Sequence, residues 1–138
     1  FYTNYGSEKG QAMAKNPQVC ISFFWPNAER QIIIKGKAEK ISEEASTRYF
    51  HSRPKGSQLG ALVSPQSQEI ENRQVLVDKL KALEEEYADK PVDKPKNWGG
   101  ICVEPVSFEF WQGRPNRLHD RFVYELNGLD WDIKRLAP

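Results

Sequence analysis

The chain has 138 residues, enough for one domain with a buried core and too few for two ordinary ones. Its 20 lysines and arginines stand against 19 aspartates and glutamates, a formal charge of +1, which argues against a generally basic nucleic-acid binder and an acidic disordered tail. Any electrostatic function must therefore be local.

The sequence opens without an initiator methionine, on an aromatic "FYT" that reads as a strand entered part-way. In "YGSEKG", Ser7 is placed as a helix N-cap with Lys9 inside the first turn. Val19 to Trp25, "VCISFFW", is β-branched and aromatic and is closed by the turn signal "PN", which predicts a strand. Arg30 to Ile41 predicts a second, with Gly36 a candidate bulge. Ser42 caps a helix with Glu43 and Glu44 in its first turn, where the helix dipole favours carboxylates, and Pro54 ends it. Ser57 to Val63 predicts a short helix or turn. From Asn72 the spacing Leu76, Leu80, Leu83, Tyr87 predicts an amphipathic helix with "EEE" on its wet side. "DKPVDKPKNWGG" predicts a loop. Ile101 to Trp111, Leu118 to Leu126 and Trp131 to Leu136 predict three more strands, joined by the turn chemistry of "QGRPN" and "NGLD". Five strands with three helices between the second and third make an α+β chain, a mostly antiparallel barrel or curved sheet. Five strands starting mid-strand close a barrel poorly, so a further strand is expected ahead of Phe1.

Cys20 and Cys102 fall in strand stretches and are expected as two buried thiols in a reducing compartment. No apolar run approaches the ~18 residues of a membrane span, and the opening carries no basic leader followed by an apolar region, so the expected location is cytoplasmic.

Several constellations bear on chemistry. Tyr49 and Arg53 are four apart on the Ser42 helix, and Ser57 follows just past the Pro54 break, a set that suits a phosphate monoester. Spacing alone also allows, and by itself favours, an arginine stacked on tyrosine with Ser57 a helix cap. Ser7 with Lys9 also suits a phosphate, or is a simple cap beside a solvated lysine. "SPQSQ", with Gln66 and Ser67, offers donors for the polar edge of a heterocycle, or is a plain loop. In "FEFWQG", Phe108, Phe110 and Gln112 share one face and Glu109 and Trp111 the other, and Trp111 either walls a planar ring or packs as core. In "RLHDRF", strand alternation puts Arg117, His119 and Arg121 in a row opposite Leu118, Asp120 and Phe122. Three like charges so placed repel unless an anion or an electron-rich ring lies over them. There is no CxxC pair, HExxH, GxGxxG or Ser-His-Asp order, so hydrolase, zinc and Rossmann readings lack support. These features together describe two phosphorylated planar molecules held together.

"FYTNYGSEKG", "NPQVCISFFWP", "YFHSRPKGSQLGALVSPQS", "WGG", "EFWQGRPNRLHDRF" and the closing "WDIKRLAP" resemble, in order and over the whole chain, the pyridoxine/pyridoxamine 5'-phosphate oxidase family. The resemblance implies one split-barrel domain over residues 1–138, a homodimer with FMN at the subunit interface, and oxidation of pyridoxamine or pyridoxine 5'-phosphate to pyridoxal 5'-phosphate with O2 reduced to H2O2. It implies that Tyr2, Thr3, Ser7, Lys9, Gln31, Gln66, Ser67, Trp111 and Arg121 hold FMN, and that Tyr49, Arg53 and Ser57 grip the substrate phosphate. Arg117, Leu118 and His119 would lie at the substrate ring, with Arg117 and His119 catalytic. Two departures accompany it: Glu8 stands where the family has arginine, and the family's preceding strand, with an "R-x-V-L-L-K" type motif, lies ahead of Phe1. The alternatives are a weak or inactive flavin-binding fragment, a split-barrel flavoenzyme with another substrate, and a nucleic-acid module stacking bases on Phe23, Phe24 and Trp25.

Overall fold

The alternation of β-branched runs and capped amphipathic segments resolves into an α+β architecture, here in a computed structural model that describes residues Phe1–Pro138. In chain order the elements are β1 (Tyr2–Asn4), α1 (Glu8–Lys15), β2 (Gln18–Trp25), β3 (Arg30–Lys40), α2 (Glu43–Ser52), α3 (Lys55–Val63), α4 (Gln74–Glu86), β4 (Trp98–Gln112), β5 (Asp120–Asn127) and β6 (Asp130–Leu136). No helix is long and apolar enough to cross a membrane. Ser7 Oγ accepts from the Gly10 amide at 3.2 Å and Ser42 Oγ from that of Ala45 at 3.1 Å, so the serines read as caps in the sequence do cap α1 and α2.

The chain divides into two compact units, Phe1–Asn16 with Lys40–Cys102, and Pro17–Glu39 with Val103–Pro138. In the first, β1 pairs antiparallel with the start of β4, Thr3 opposite Gly99. Phe50, Leu59, Tyr87, Val92 and Trp98 form its core, flanked by Leu80 and Leu83 of α4, which is the apolar stripe the sequence showed. Phe50 is wholly buried, and removing such a ring from water is worth about 1.5–3 kcal/mol.

In the second unit the strands run antiparallel in the order β2-β3-β4-β5-β6. Phe108 stacks near Phe110 and tilts against Trp131, and Phe110 meets Tyr124 edge-on. Of these strands' large side chains Val123 is buried, whereas Phe23, Phe24, Trp25 and Ile133 are exposed.

Four expectations are corrected here. Gly36 is no bulge: it sits in regular register opposite Val19, and a Cβ there would come within 2.3 Å of the Glu104 carbonyl oxygen, so glycine is required by the close passage of β4. The end of "DKPVDKPKNWGG" is strand, because Trp98 to Gly100 pair with β1. Both cysteines are exposed. Alternation explains it: Cys20 lies between half-buried Val19 and Ile21, and Cys102 shares the outward face of Glu104 and Val106. Finally, β5 begins at Asp120, and Arg117 belongs to a 3-10 turn, Pro115–Arg117.

Candidate functional site

In the first unit, the break at Pro54 turns the chain from α2 into α3 and leaves Arg53 as the C-cap of α2. The Arg53 carbonyl accepts from Gln58 Nε2 at 2.7 Å, which fixes the backbone from which the side chain departs. The guanidinium lies over the Trp98 ring, its carbon 4.9 Å from the centroid, and has no carboxylate partner. Its Nη1 is buried and makes no hydrogen bond. A buried guanidinium nitrogen without an acceptor is costly, and a bound anion relieves that cost. A cavity of about 330 Å³ opens beside it, lined by Arg53, Ser57, Ser64, Gln66 and Trp98. Tyr49, one turn before Arg53, stacks on Tyr2 with centroids 3.7 Å apart. Two of the three residues read as a phosphate grip thus line one cavity, and Tyr49 stands against the ring bundle beneath it.

Thr3, Ser7 and Gln66, read as cofactor residues, also meet. Thr3 Oγ1 donates to Gln66 Oε1 at 3.2 Å and lies 3.4 Å from Ser7 Oγ, while the Asn4 amide donates to the same Gln66 oxygen at 3.0 Å. Thr3 and Ser7 are buried, so their hydroxyls knit β1, α1 and the "SPQS" turn together. Ser67 in that turn is exposed with φ +67°. Lys9 is exposed in the first turn of α1 and forms no ion pair, next to exposed Glu8.

In the second unit, the cationic row is rearranged. Only Arg121 is on β5, opposite Trp111 of β4. Its Nε donates to Glu109 Oε1 at 2.7 Å, a pairing that raises the guanidinium's pKa, and its Nη1 donates to the Ala137 carbonyl. The repulsion argued for the row is therefore met partly by a carboxylate of the same sheet face. His119 packs against Trp111 with centroids 4.8 Å apart, and its Nδ1 accepts from the Arg114 amide at 3.1 Å. Arg117 is exposed at φ +63°, directly after Asn116 at φ +59°. A non-glycine pair held in the left-handed region stores roughly 1–3 kcal/mol per residue, which places Arg117 by constraint rather than by strand alternation. Leu118 is exposed beside it. Gln31, its Nε2 donating to Ser22 Oγ at 3.2 Å, lines a cavity of about 410 Å³ with Trp111, Arg114 and Asp120. Asp120 accepts from both Arg114 and Arg135, which hold its carboxyl below the usual range, Arg114 more strongly.

Sequence reasoning missed two residues that shape these places. Trp98 underlies Arg53, and the signal was an aromatic immediately before "GG". Glu109 neutralises Arg121, and its place on the Trp111 face was already legible from alternation.

Residues 1–87 match the family model described as pyridoxamine 5'-phosphate oxidase, and residues 98–138 match one described as the pyridoxine 5'-phosphate oxidase C-terminal dimerisation region. The chain is 60% identical over 139 residues to a pyridoxine/pyridoxamine 5'-phosphate oxidase of Flavobacterium psychrophilum, covering 100% of this chain and 65% of the relative. It is 54% identical over 138 residues to the Christiangramia forsetii protein of that name, covering 100% of this chain and 64% of the relative. The chain thus spans just under two thirds of these relatives' length. Among solved structures, PhzG of Burkholderia lata, in complex with tetrahydrophenazine-1-carboxylic acid, superposes with TM-score 0.90 at 28% identity, covering 100% of this chain and 67% of that one. A pyridoxamine 5'-phosphate oxidase-related, FMN-binding protein of Nostoc punctiforme shares the fold with TM-score 0.74 at 18% identity, covering 100% and 72% respectively. The expected split-barrel architecture is the one found.

Proposed function

This chain belongs to the pyridoxamine 5'-phosphate oxidase family, and on that premise we propose that it carries the FMN-dependent oxidation of pyridoxamine or pyridoxine 5'-phosphate to pyridoxal 5'-phosphate, with O2 reduced to H2O2. The observation that carries the reading is Arg53. A half-buried arginine whose Nη1 is buried and unpartnered, with no carboxylate neighbour and a serine lining the same cavity, is a receptor for a phosphoryl group.

The donor set also suits the cofactor. Lys9 offers an unpaired ammonium at the first turn of α1, whereas the Arg121 guanidinium on β5, paired with Glu109, would have to share or exchange that carboxylate to serve the cofactor. Thr3, Ser7 and Gln66 are hydrogen-bonded among themselves, so their part is to hold the wall's shape. Trp111 and Gln31 line the other cavity, an aromatic face and an amide for a planar ring. Bound FMN supplies the two-electron acceptor that O2 regenerates. The chain's own residues then bind and orient: Arg53 and Ser57 fix the phosphoryl end, and Arg117 supplies positive charge at the substrate ring. His119, whose Nδ1 already accepts a hydrogen bond, offers Nε2–H to the substrate as an orienting donor.

The match to a dimerisation region and the exposed Phe23, Phe24, Trp25 and Ile133 support a homodimer. Two unpaired cysteines fit the reducing cytoplasm. A split-barrel flavoenzyme acting on an unphosphorylated substrate would leave Arg53 without an acceptor. The test is direct. The purified protein is examined for a bound flavin spectrum, then given pyridoxamine 5'-phosphate in air while aldehyde and peroxide are followed. A yellow protein that forms both supports the reading; a yellow protein inert to the substrate reduces it to a flavin-binding module.

A further inference from the structure

Arg53 needs something to hold it. A guanidinium that must stay free for a phosphoryl group cannot be anchored by a carboxylate, since the carboxylate would occupy the same donors and cancel the charge. Arg53 has no such anchor. What it has is an aromatic floor, with its guanidinium carbon 4.9 Å from the Trp98 centroid and 5.9 Å from that of Phe50.

The floor is itself fixed. Trp98 is 7% exposed, and Phe50 meets it edge-on at 5.3 Å. Tyr2 and Tyr49 lie nearly parallel to it, at 5.4 and 6.4 Å. Its carbonyl accepts from Lys94 Nζ at 2.8 Å, and Lys94 is buried and paired with Glu43. The indole therefore has little freedom, and a cation resting on its face inherits that restriction without giving up a single N–H.

We propose that Trp98 is a positioning residue for substrate recognition: its indole face holds the Arg53 guanidinium by a cation–π contact, so that no protein acceptor takes up its donors ahead of the phosphate of the substrate. This rests on the phosphate-grip reading of Arg53 given above. In this role Trp98 acts through Arg53, although its ring also lines the cavity.

A double-mutant cycle read by affinity for pyridoxal 5'-phosphate, in the flavin-loaded protein, tests it. Trp98→Leu is expected to weaken binding about tenfold with Arg53 present and less than about twofold in the Arg53→Ala background. Trp98→Phe, which keeps a weaker aromatic face, is expected to lose about threefold and so to rescue roughly half of the defect in binding free energy. A purely structural role for Trp98 predicts an equal loss in both backgrounds, and that result overturns the proposal, as does full affinity in Trp98→Leu. Should Trp98→Leu not fold, Trp98→Phe decides alone: the threefold loss confined to Arg53-containing protein supports the proposal, and no loss, or the same loss with Arg53→Ala, overturns it. If Arg53→Ala itself binds pyridoxal 5'-phosphate as tightly as the parent, the phosphate-grip reading falls, a failure distinct from the failure of Trp98 alone.

Discussion

The main-chain N–H of Arg114 donates to Nδ1 of His119 at 3.1 Å, so the neutral imidazole carries its proton on Nε2. A ring in that tautomer is a donor, and its one remaining polar atom has no lone pair to accept a substrate proton. His119→Gln, whose amide reaches a similar place, is therefore expected to retain most of kcat/KM. His119→Ala should lose a hydrogen bond worth ~0.5–1.5 kcal/mol, a drop of roughly 2- to 12-fold. Steady-state kinetics of the two variants check this: equal losses in both would make His119 a proton acceptor.

Glu8 sits beside Lys9 in the first turn of α1, where its charge suits the helix dipole and opposes a cofactor phosphate. Glu8→Gln should tighten FMN binding, with the gain shrinking as salt is raised, while helix stability falls by about 0.3–1 kcal/mol. Flavin titration at two ionic strengths, paired with thermal unfolding, reads both effects. Unchanged flavin affinity would place the cofactor phosphate away from α1.

Asp120 joins Arg114 to Arg135, and both hold its carboxyl below the normal range. A depressed carboxylate stabilises the fold fully above its unfolded-state pKa and loses that contribution as pH falls through the lower folded value. The effect is confined to the acid range and is small, because the group faces solvent. Asp120→Asn should flatten the acid limb of the stability curve and leave stability near neutral pH slightly lower. Urea midpoints between pH 2 and pH 7 measure it. An acid limb identical to the parent's would assign the loss to other carboxylates.

Much of the fold could be read from pattern. The run "VCISFFW", the caps Ser7 and Ser42 and the Leu76, Leu80, Leu83, Tyr87 stripe all became the elements their local chemistry favours, because those signals lie within one turn or one strand. Features set by partners distant in sequence were not legible. Gly36 is required by Glu104, Trp98 becomes strand because Asn4 pairs with it, and Arg121 is neutralised by Glu109 twelve residues away. The row Arg117, His119, Arg121 failed as a strand face because Asn116 and Arg117 take left-handed backbone, which alternation does not foresee in residues other than glycine. Of the site residues, Arg53 and Ser57 were visible as a pair, but the orphaned Nη1 and the Trp98 ring under the guanidinium, 45 positions along the chain, were not.

The most direct test of the account is the Michaelis constant of Arg53→Ala for pyridoxamine 5'-phosphate, measured beside its turnover number. Loss of one charged hydrogen-bond partner for the phosphoryl group predicts KM raised by roughly 10- to 150-fold, ~1.5–3 kcal/mol, with kcat reduced far less. Kinetics indistinguishable from the parent's would contradict it.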